Sequence, residues 1–368
     1  MTAGTPVRPR RGAAFHPLRV ARVEPLCDDA AAVTFAVPDG LAEAYAFRPG
    51  QHLTLRRTVE GHEERRSYSL CSPAGAAPRI GVRMVPGGLF SPWLVRDVRP
   101  GDVVEVMAPP GGAFTPRLGA PGRHVLVAAG SGVTPMVSIA PSLLAAHPAA
   151  EVVLVYGNRR TDTVMFADEL ADLKNAHLAR LQLVHVLSRE PRETELFSGR
   201  LDAARLTALL DALIRPESGD HWWLCGPDGM LRAARTALAD HGVPAGRIHQ
   251  ELFHVADEPP RPMPLRRDDA AEAEGGPGSK VTVVLDGRAT TTVVPRDRTV
   301  LEGAQRSRPD IPFACKGGVC GSCRARVVEG EARMRRNFAL EDAEVAAGYV
   351  LTCQSFPTSE ALTVDFDS

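Results

Sequence analysis

The chain has 368 residues, 44% hydrophobic and 24% charged, which suits two or three folded domains and excludes a largely disordered protein. Lys and Arg number 43 and Asp and Glu 44, so the net charge of -1 argues against a nucleic-acid binder held by a global positive field. No run approaches the roughly 18 consecutive apolar residues of a membrane span, and the basic first residues carry no apolar stretch of a secretory signal. Seven cysteines, four of them crowded near the C-terminus, suit metal chemistry in a reducing cytoplasm better than a disulfide framework.

Up to about residue 117, short β runs at 32–37, 52–56, 80–85 and 103–107 are broken by Arg48-Pro49-Gly50 and Arg99-Pro100-Gly101-Asp102. That pattern predicts antiparallel strands closing into a β-barrel. From about 118 to 255, β runs at 125–129, 152–156, 181–187 and 222–224 alternate with helical stretches, which predicts an α/β domain with a parallel, doubly wound sheet. Leu206, Leu209, Leu210 and Leu213 sit at helical spacing behind Asp202, an expected N-cap. Pro141 should kink or shorten the helix expected over 136–147. Residues 256–279 are rich in Pro, Gly and charge and are expected to be an exposed linker. A third domain then spans 280–368. In it Asp286-Gly287 signals a tight hairpin, and Thr299 with Glu302 forms a capping box.

Cys315, Cys320, Cys323 and Cys353 show the C-x4-C-x2-C spacing with a distant fourth cysteine that marks a plant-type [2Fe–2S] cluster. Two irons need four thiolates, and three come from one loop. Gly317, Gly318 and Gly321 let that loop turn sharply and aim N–H groups at the sulfurs. Structural zinc usually shows a second C-x2-C or C/H pair, which the lone Cys353 does not provide.

Arg66-Ser67-Tyr68-Ser69 follows a β run. An Arg can pair with a pyrophosphate, a Tyr ring can lie on an isoalloxazine, and a Ser hydroxyl can bond a flavin ring nitrogen. About twenty residues on, Gly87-Gly88-Leu89-Phe90-Ser91-Pro92 reads as a turn, a Ser91 cap and a short helix, an anion site suited to the second phosphate of FAD. The β run at 125–129 leads into Gly130-Ser131-Gly132-Val133-Thr134-Pro135, a phosphate-cradling turn without the third glycine of G-x-G-x-x-G. The run at 222–224 ends in Cys225-Gly226-Pro227, again at the carboxyl edge of the sheet. Arg159, Arg160, Ser188 and Arg189 end two further strands. Their guanidinium groups favour the 2′-phosphate of NADPH over NADH, with Glu190 the one ambiguity.

In this order the motifs resemble the ferredoxin–NADP reductase superfamily, and the C-terminal domain resembles a plant-type ferredoxin, an α+β fold of the β-grasp kind. Within the superfamily the chain is similar to the reductase subunits of phenylacetyl-CoA epoxidases. The matching pieces include Phe47-Arg48-Pro49-Gly50-Gln51, Tyr156-Gly157-Asn158-Arg159, Leu187-Ser188-Arg189-Glu190, His249-Gln250-Glu251-Leu252-Phe253 and Cys315-Lys316-Gly317-Gly318-Val319-Cys320. Gly321-Ser322 and Pro141 depart from the pattern.

The resemblance implies that Arg66, Ser67, Tyr68, Ser69, Val82, Met84, Gly87, Gly88, Leu89 and Ser91 hold FAD, with Ser69 near the reactive nitrogen. It places Gly130, Gly132, Thr134, Pro135, Arg159, Ser188, Arg189, Cys225, Gly226 and Pro227 on the nicotinamide nucleotide and Phe253 near the flavin. Ser69, Thr134 and Cys225 are the expected catalytic residues. The expected function is electron transfer from NADPH through FAD and the cluster to a di-iron oxygenase, as in phenylacetate catabolism. Neither nucleic acid nor membrane is an expected partner, and the expected location is cytoplasmic. A Rieske-type oxygenase partner is the alternative, and a redox sensor without turnover the more distant one.

Overall fold

The computed structural model describes residues 14–59, 61–109, 114–217, 219–253 and 278–368. Of the expected linker only Gly278 and Ser279 are described, and both already belong to a strand; the rest lies outside the described residues. The chain divides into two compact units. The larger comprises His16–Val59 and Arg66–Pro259, and the smaller is built mainly from Pro260–Ser368.

The first six strands are β1 (Phe15–Cys27), β2 (Ala30–Ala36), β3 (His52–Val59), β4 (His62–Ser69), β5 (Arg79–Arg83) and β6 (Val103–Met107), ordered β4-β3-β6-β1-β2-β5. Leu70, just past β4, bridges antiparallel to Ile80 in β5, so the two ends of the sheet meet and the barrel closes. Leu18, Val20, Leu53, Leu55, Ile80 and Val82 fill its core. A short helix, α1 (Ser91–Arg96), follows β5.

The parallel sheet comprises β7 (Gly122–Ala129), β8 (Ala150–Asn158), β9 (Leu181–Leu187), β10 (His221–Gly226) and β11 (Ile248–Leu252). Helices α2 (Val133–Ala146), α3 (Ala167–Ala176), α4 (Ala203–Leu209) and α5 (Asp228–Asp240) connect them. The order β11-β10-β7-β8-β9 reverses direction between β7 and β10, which makes the gap between their carboxyl ends the switch point where ligands bind. Asp202 caps α4 as expected, its carboxylate accepting from Arg205 N at 2.9 Å. Pro141 does not shorten α2, which runs five residues past it. Eleven of its fourteen residues are buried, and that packing outweighs the roughly 3 kcal/mol of an interior proline. Ser138 and Ser142 on the same helix bond Ser72 O and Ala74 N, tying the helix to the barrel loop that follows β4.

The smaller unit carries β12 (Gly278–Leu285), β13 (Arg288–Pro295), α6 (Val300–Ala304), β14 (Arg324–Glu329), β15 (Ala332–Met334), α7 (Asp342–Ala346), β16 (Tyr349–Leu351), β17 (Ser355–Pro357) and β18 (Ala361–Asp365). Its main sheet runs β13-β12-β18-β14-β16, with β12 and β18 parallel, and β15 pairs with β17. Asp286 and Gly287 both have positive φ, 54° and 68°, as a two-residue hairpin turn matching the strand twist requires. Thr299 and Glu302 form the expected capping box. Among the described residues no helix is long and apolar enough to cross a membrane.

A histidine pair makes the stability of the parallel sheet pH-dependent. His124 on β7 lies opposite His221 on β10 with the rings stacked at 5.3 Å, and Trp223 Nε1 donates to His124 Nδ1 at 3.2 Å. Burial, and then the neighbouring His221 and His249, push His124 down to about 4 from its ordinary 6.5. Above pH 6.5 the imidazole is neutral in both folded and unfolded chains. As the pH falls from 6.5 towards 4 only the unfolded chain takes up the proton, so stability drops by up to about 3 kcal/mol. Urea denaturation followed by tryptophan fluorescence should therefore show a lower midpoint at pH 4.5 than at 7.5. His124→Gln, which keeps an acceptor for Trp223, should flatten that dependence.

Candidate functional site

Four cysteines meet in the smaller unit. Cys323 immediately precedes β14, and antiparallel β16 returns Thr352 and Cys353 to it. Thr352 fastens the junction, its N and Oγ1 both donating to Cys323 O at 3.1 and 3.0 Å. The Cys315 thiol is hydrogen-bonded to Cys320 and the Cys323 thiol to Cys353. Among the described residues no three His, Cys, Asp or Glu side chains converge as on a single ion. Two thiol pairs suit two irons, each taking two thiolates, and do not suit one zinc ion.

The loop is shaped for a negatively charged cluster. Gly317, Val319 and Cys320 N–H groups donate to Cys315 Sγ at 3.3–3.4 Å. Gly318 and Gly321 supply positive φ angles of 77° and 66°, and Lys316 joins them at 51°. Gln354, buried beside the fourth cysteine, donates to Lys316 O at 2.8 Å and holds that turn. Contact with the partner thiol and burial raise the Cys315 and Cys323 thiols well above their ordinary range, a cost that binding to a metal removes. Cys323 and Cys353 are buried and Cys315 and Cys320 half-buried, so one pair faces the surface.

The flavin motif runs along the end of β4. Ser67 Oγ lies 3.2 Å from Thr54 Oγ1, and the Tyr68 ring packs against Phe90 at 6.1 Å. Burial, partly offset by Arg66, keeps the Tyr68 phenol neutral by raising its pKa. Ser69 is buried and its Oγ donates to Glu251 Oε2 at 3.2 Å. Val82 lies in the barrel core, so only its backbone can meet a ligand. Met84 N is bonded to Asp29 O at 2.7 Å, Gly87 has a φ of 71°, and Leu89 is exposed. A Cβ on Gly88 would come within 2.9 Å of Val85 O. Ser91 is not the N-cap expected of it. Phe90 occupies that position, and the Ser91 hydroxyl accepts from Val85 N at 3.0 Å, closing the glycine turn instead.

At the switch point Gly130, Gly132, Arg159, Ser188, Gly226, Pro227 and Phe253 line one cleft of about 740 Å³, together with Arg83, Asn158 and Arg200. Gly132 is where the β7 turn passes the end of β10, since a Cβ there would sit 2.2 Å from Cys225 O. Thr134, Pro135, Arg189 and Cys225 do not line the cleft. Thr134 is buried and its Oγ1 donates to Ser131 O at 2.9 Å, so it braces the turn. Pro135 is buried within α2, and Arg189 is exposed. Cys225 is fully buried opposite Glu251 in the β10–β11 register. Burial and then the Glu251 charge lift its thiol well above the ordinary range, so it acts as a neutral wall and not as a nucleophile.

Sequence reasoning missed Glu251, Arg83 and Arg200. Glu251 joins the flavin motif to the Cys225 strand, and the signal for it was an acid inside a short β run ending at Phe253. Arg83 donates to Asp29 Oδ1 at 3.1 Å and to Thr163 O, bridging barrel and sheet beside the cleft.

Known proteins match this architecture domain by domain. The oxidoreductase FAD-binding domain family matches residues 17–114, the oxidoreductase NAD-binding domain 126–236, and the 2Fe-2S iron-sulfur cluster binding domain 283–358. The chain is 41% identical to one of the subunits of the 1,2-phenylacetyl-CoA epoxidase of Escherichia coli K12, over 96% of this chain and 98% of that one. It is 34% identical to the ferredoxin reductase component of 3-ketosteroid-9-alpha-monooxygenase of Rhodococcus rhodochrous, over 92% and 93%. The solved structure of phthalate dioxygenase reductase superposes with a TM-score of 0.59 at 25% identity, covering 96% of this chain and 98% of that one. The chain therefore belongs to the family of FAD- and [2Fe–2S]-dependent reductase components that deliver electrons to oxygenases.

Proposed function

We propose that the protein draws electrons from NADPH in preference to NADH and delivers them to a di-iron oxygenase of the phenylacetyl-CoA epoxidase type, in the cytoplasm. The observation that carries the nucleotide choice is the state of Glu190. An acid at this edge selects NADH by holding the ribose 2′-hydroxyl. The Glu190 carboxylate is instead engaged by Thr161, whose N and Oγ1 donate to it at 2.8 and 2.7 Å, and those bonds lower its pKa. Arg159, which also lies 3.6 Å from Asp29, and Arg200 line the cleft beside Ser188, while the lining acids Asp202 and Asp228 are engaged by Arg205 N and Arg232.

FAD supplies the conversion of a two-electron delivery into single electrons, and the cluster carries them one at a time. The residues would act as follows. Gly130 and Gly132 keep the turn small enough for backbone to approach a pyrophosphate. Gly226, Pro227 and Phe253 would receive the nicotinamide, with buried Cys225 behind them as packing. Ser69, oriented by Glu251, presents its hydroxyl to the flavin ring. Cys315, Cys320, Cys323 and Cys353 would hold the cluster, with the Cys315–Cys320 side facing an acceptor. The epoxidase assignment rests on the 41% identity, across both full lengths, to a component of such an enzyme.

Anaerobic titration in a cuvette tests the nucleotide choice. NADPH should bleach the flavin and cluster bands with kcat/KM at least about tenfold above NADH, because each charge-assisted bond to phosphate contributes roughly 1.5–3 kcal/mol. Arg159→Ala and Arg200→Ala should each erode that preference without changing the NADH rate. Equal or better reduction by NADH sinks it.

A further inference from the structure

Asn158 is the last residue of β8 and lines the cleft, yet it is 8% exposed, and among the described residues nothing donates to its side-chain Oδ1. A buried amide oxygen left unmet is costly, and native proteins rarely keep one without a reason. Its surroundings give the oxygen no internal solution. Tyr156, two residues earlier on the same face of the strand, is bonded to the amide, but its hydroxyl donates to Gly130 O at 3.1 Å and so can only accept from Asn158 Nδ2. The Asn158 backbone carbonyl is already taken by Ser188 N at 2.9 Å.

We propose that Asn158 is a substrate-positioning residue that holds the hydroxyl-bearing edge of the adenosine ribose. The inference rests on the cleft being the nucleotide site. Three features choose the ribose. The group left unmet is the acceptor Oδ1, so its partner must donate. A phosphate oxygen only accepts and would leave Oδ1 unmet. The carboxamide of nicotinamide could donate, but it belongs at the end of β10. β8 is separated from β10 by β7, about 10 Å across the sheet at the usual strand spacing. A sugar hydroxyl, such as the 3′-hydroxyl that NADPH and NADH share, can make that donation.

The test uses the holoprotein, with ADP and 2′,3′-dideoxy-ADP as probes and calorimetry as the readout. The wild type should bind ADP roughly 10- to 100-fold more tightly than the dideoxy analogue. Asn158→Leu should weaken ADP by a similar factor and bind the two probes alike. Without nucleotide its melting temperature should equal or exceed that of the wild type, because an apolar side chain of like shape removes an unmet amide. The KM for the dinucleotide should rise while kcat stands. A purely structural amide would give the opposite pattern: a lower melting temperature and unchanged binding of both probes. Equal affinity of the wild type for the two probes overturns the proposal even if the variant does not fold. A wild type that binds neither probe sinks the reading of the cleft as well.

Discussion

Cys353→Ser should yield a protein that keeps its flavin and loses its cluster. Cys353 would be the one ligand outside the loop, and its thiol pairs with that of buried Cys323. Its loss would leave one iron with a single thiolate in a pocket that water reaches poorly. Iron and acid-labile sulfide per chain should fall to a small fraction of wild type, and the bands near the flavin shoulder should disappear. Transfer to cytochrome c or to the oxygenase should drop by more than the 10–100-fold that even an outer partner of a metal ligand is worth. Reduction of ferricyanide, which can take electrons from the flavin directly, should survive. The division between those acceptors is the informative part, because a misfolded variant would lose both. A variant that keeps full iron and full cytochrome c reduction would refute the assignment of this ligand.

The second large effect is expected from Gly132→Ala. Gly132 has an ordinary helical φ of -61°, so alanine brings no backbone strain. The problem is space. The new Cβ would lie 2.2 Å from Cys225 O and 2.6 Å from Cys225 C, both backbone atoms of a buried strand that cannot move aside cheaply. The turn after β7 must therefore part from the end of β10, at the switch point itself. Overpacking of this kind costs about 1–3 kcal/mol of stability. Displacing nucleotide and flavin by even about 1 Å can lower kcat/KM for NADPH on the order of 100-fold. Stopped-flow reduction of the flavin and a melting curve read the two effects separately. Gly246→Ala is the control: it lies outside the cleft, its Cβ would meet nothing within 4 Å among the described residues, and it should change neither. If Gly132→Ala reduces flavin at the wild-type rate, the close approach has no bearing on the reaction.

The local grammar of the chain was readable without coordinates wherever one residue type has one physical use. Asp286-Gly287 can hardly be anything but a turn with two positive φ angles, and Thr299 with Glu302 closes its own capping box. The run at 181–187 is the strand β9, and the spacing of Cys315, Cys320, Cys323 and Cys353 is set by the chemistry of two irons. Ser91 and Pro141 show where such reading stops. Each followed a sound local rule and lost to a tertiary contact, a backbone amide at Val85 in one case and the burial of α2 in the other.

The site divides in the same way. Glycines in a strand–turn–helix pattern announce a phosphate cradle, because only small residues let backbone approach a ligand. Which arginines surround the cleft, and whether Glu190 is available to a ribose, depend on partners far apart in sequence. Thr161 meets Glu190 across 29 residues, and Ser69 meets Glu251 across 182. Composition and motif determined what chemistry this chain carries. Its tertiary structure alone decided which polar groups are already satisfied and which are left for a substrate, because hydrogen bonding is settled by proximity in space and not along the chain.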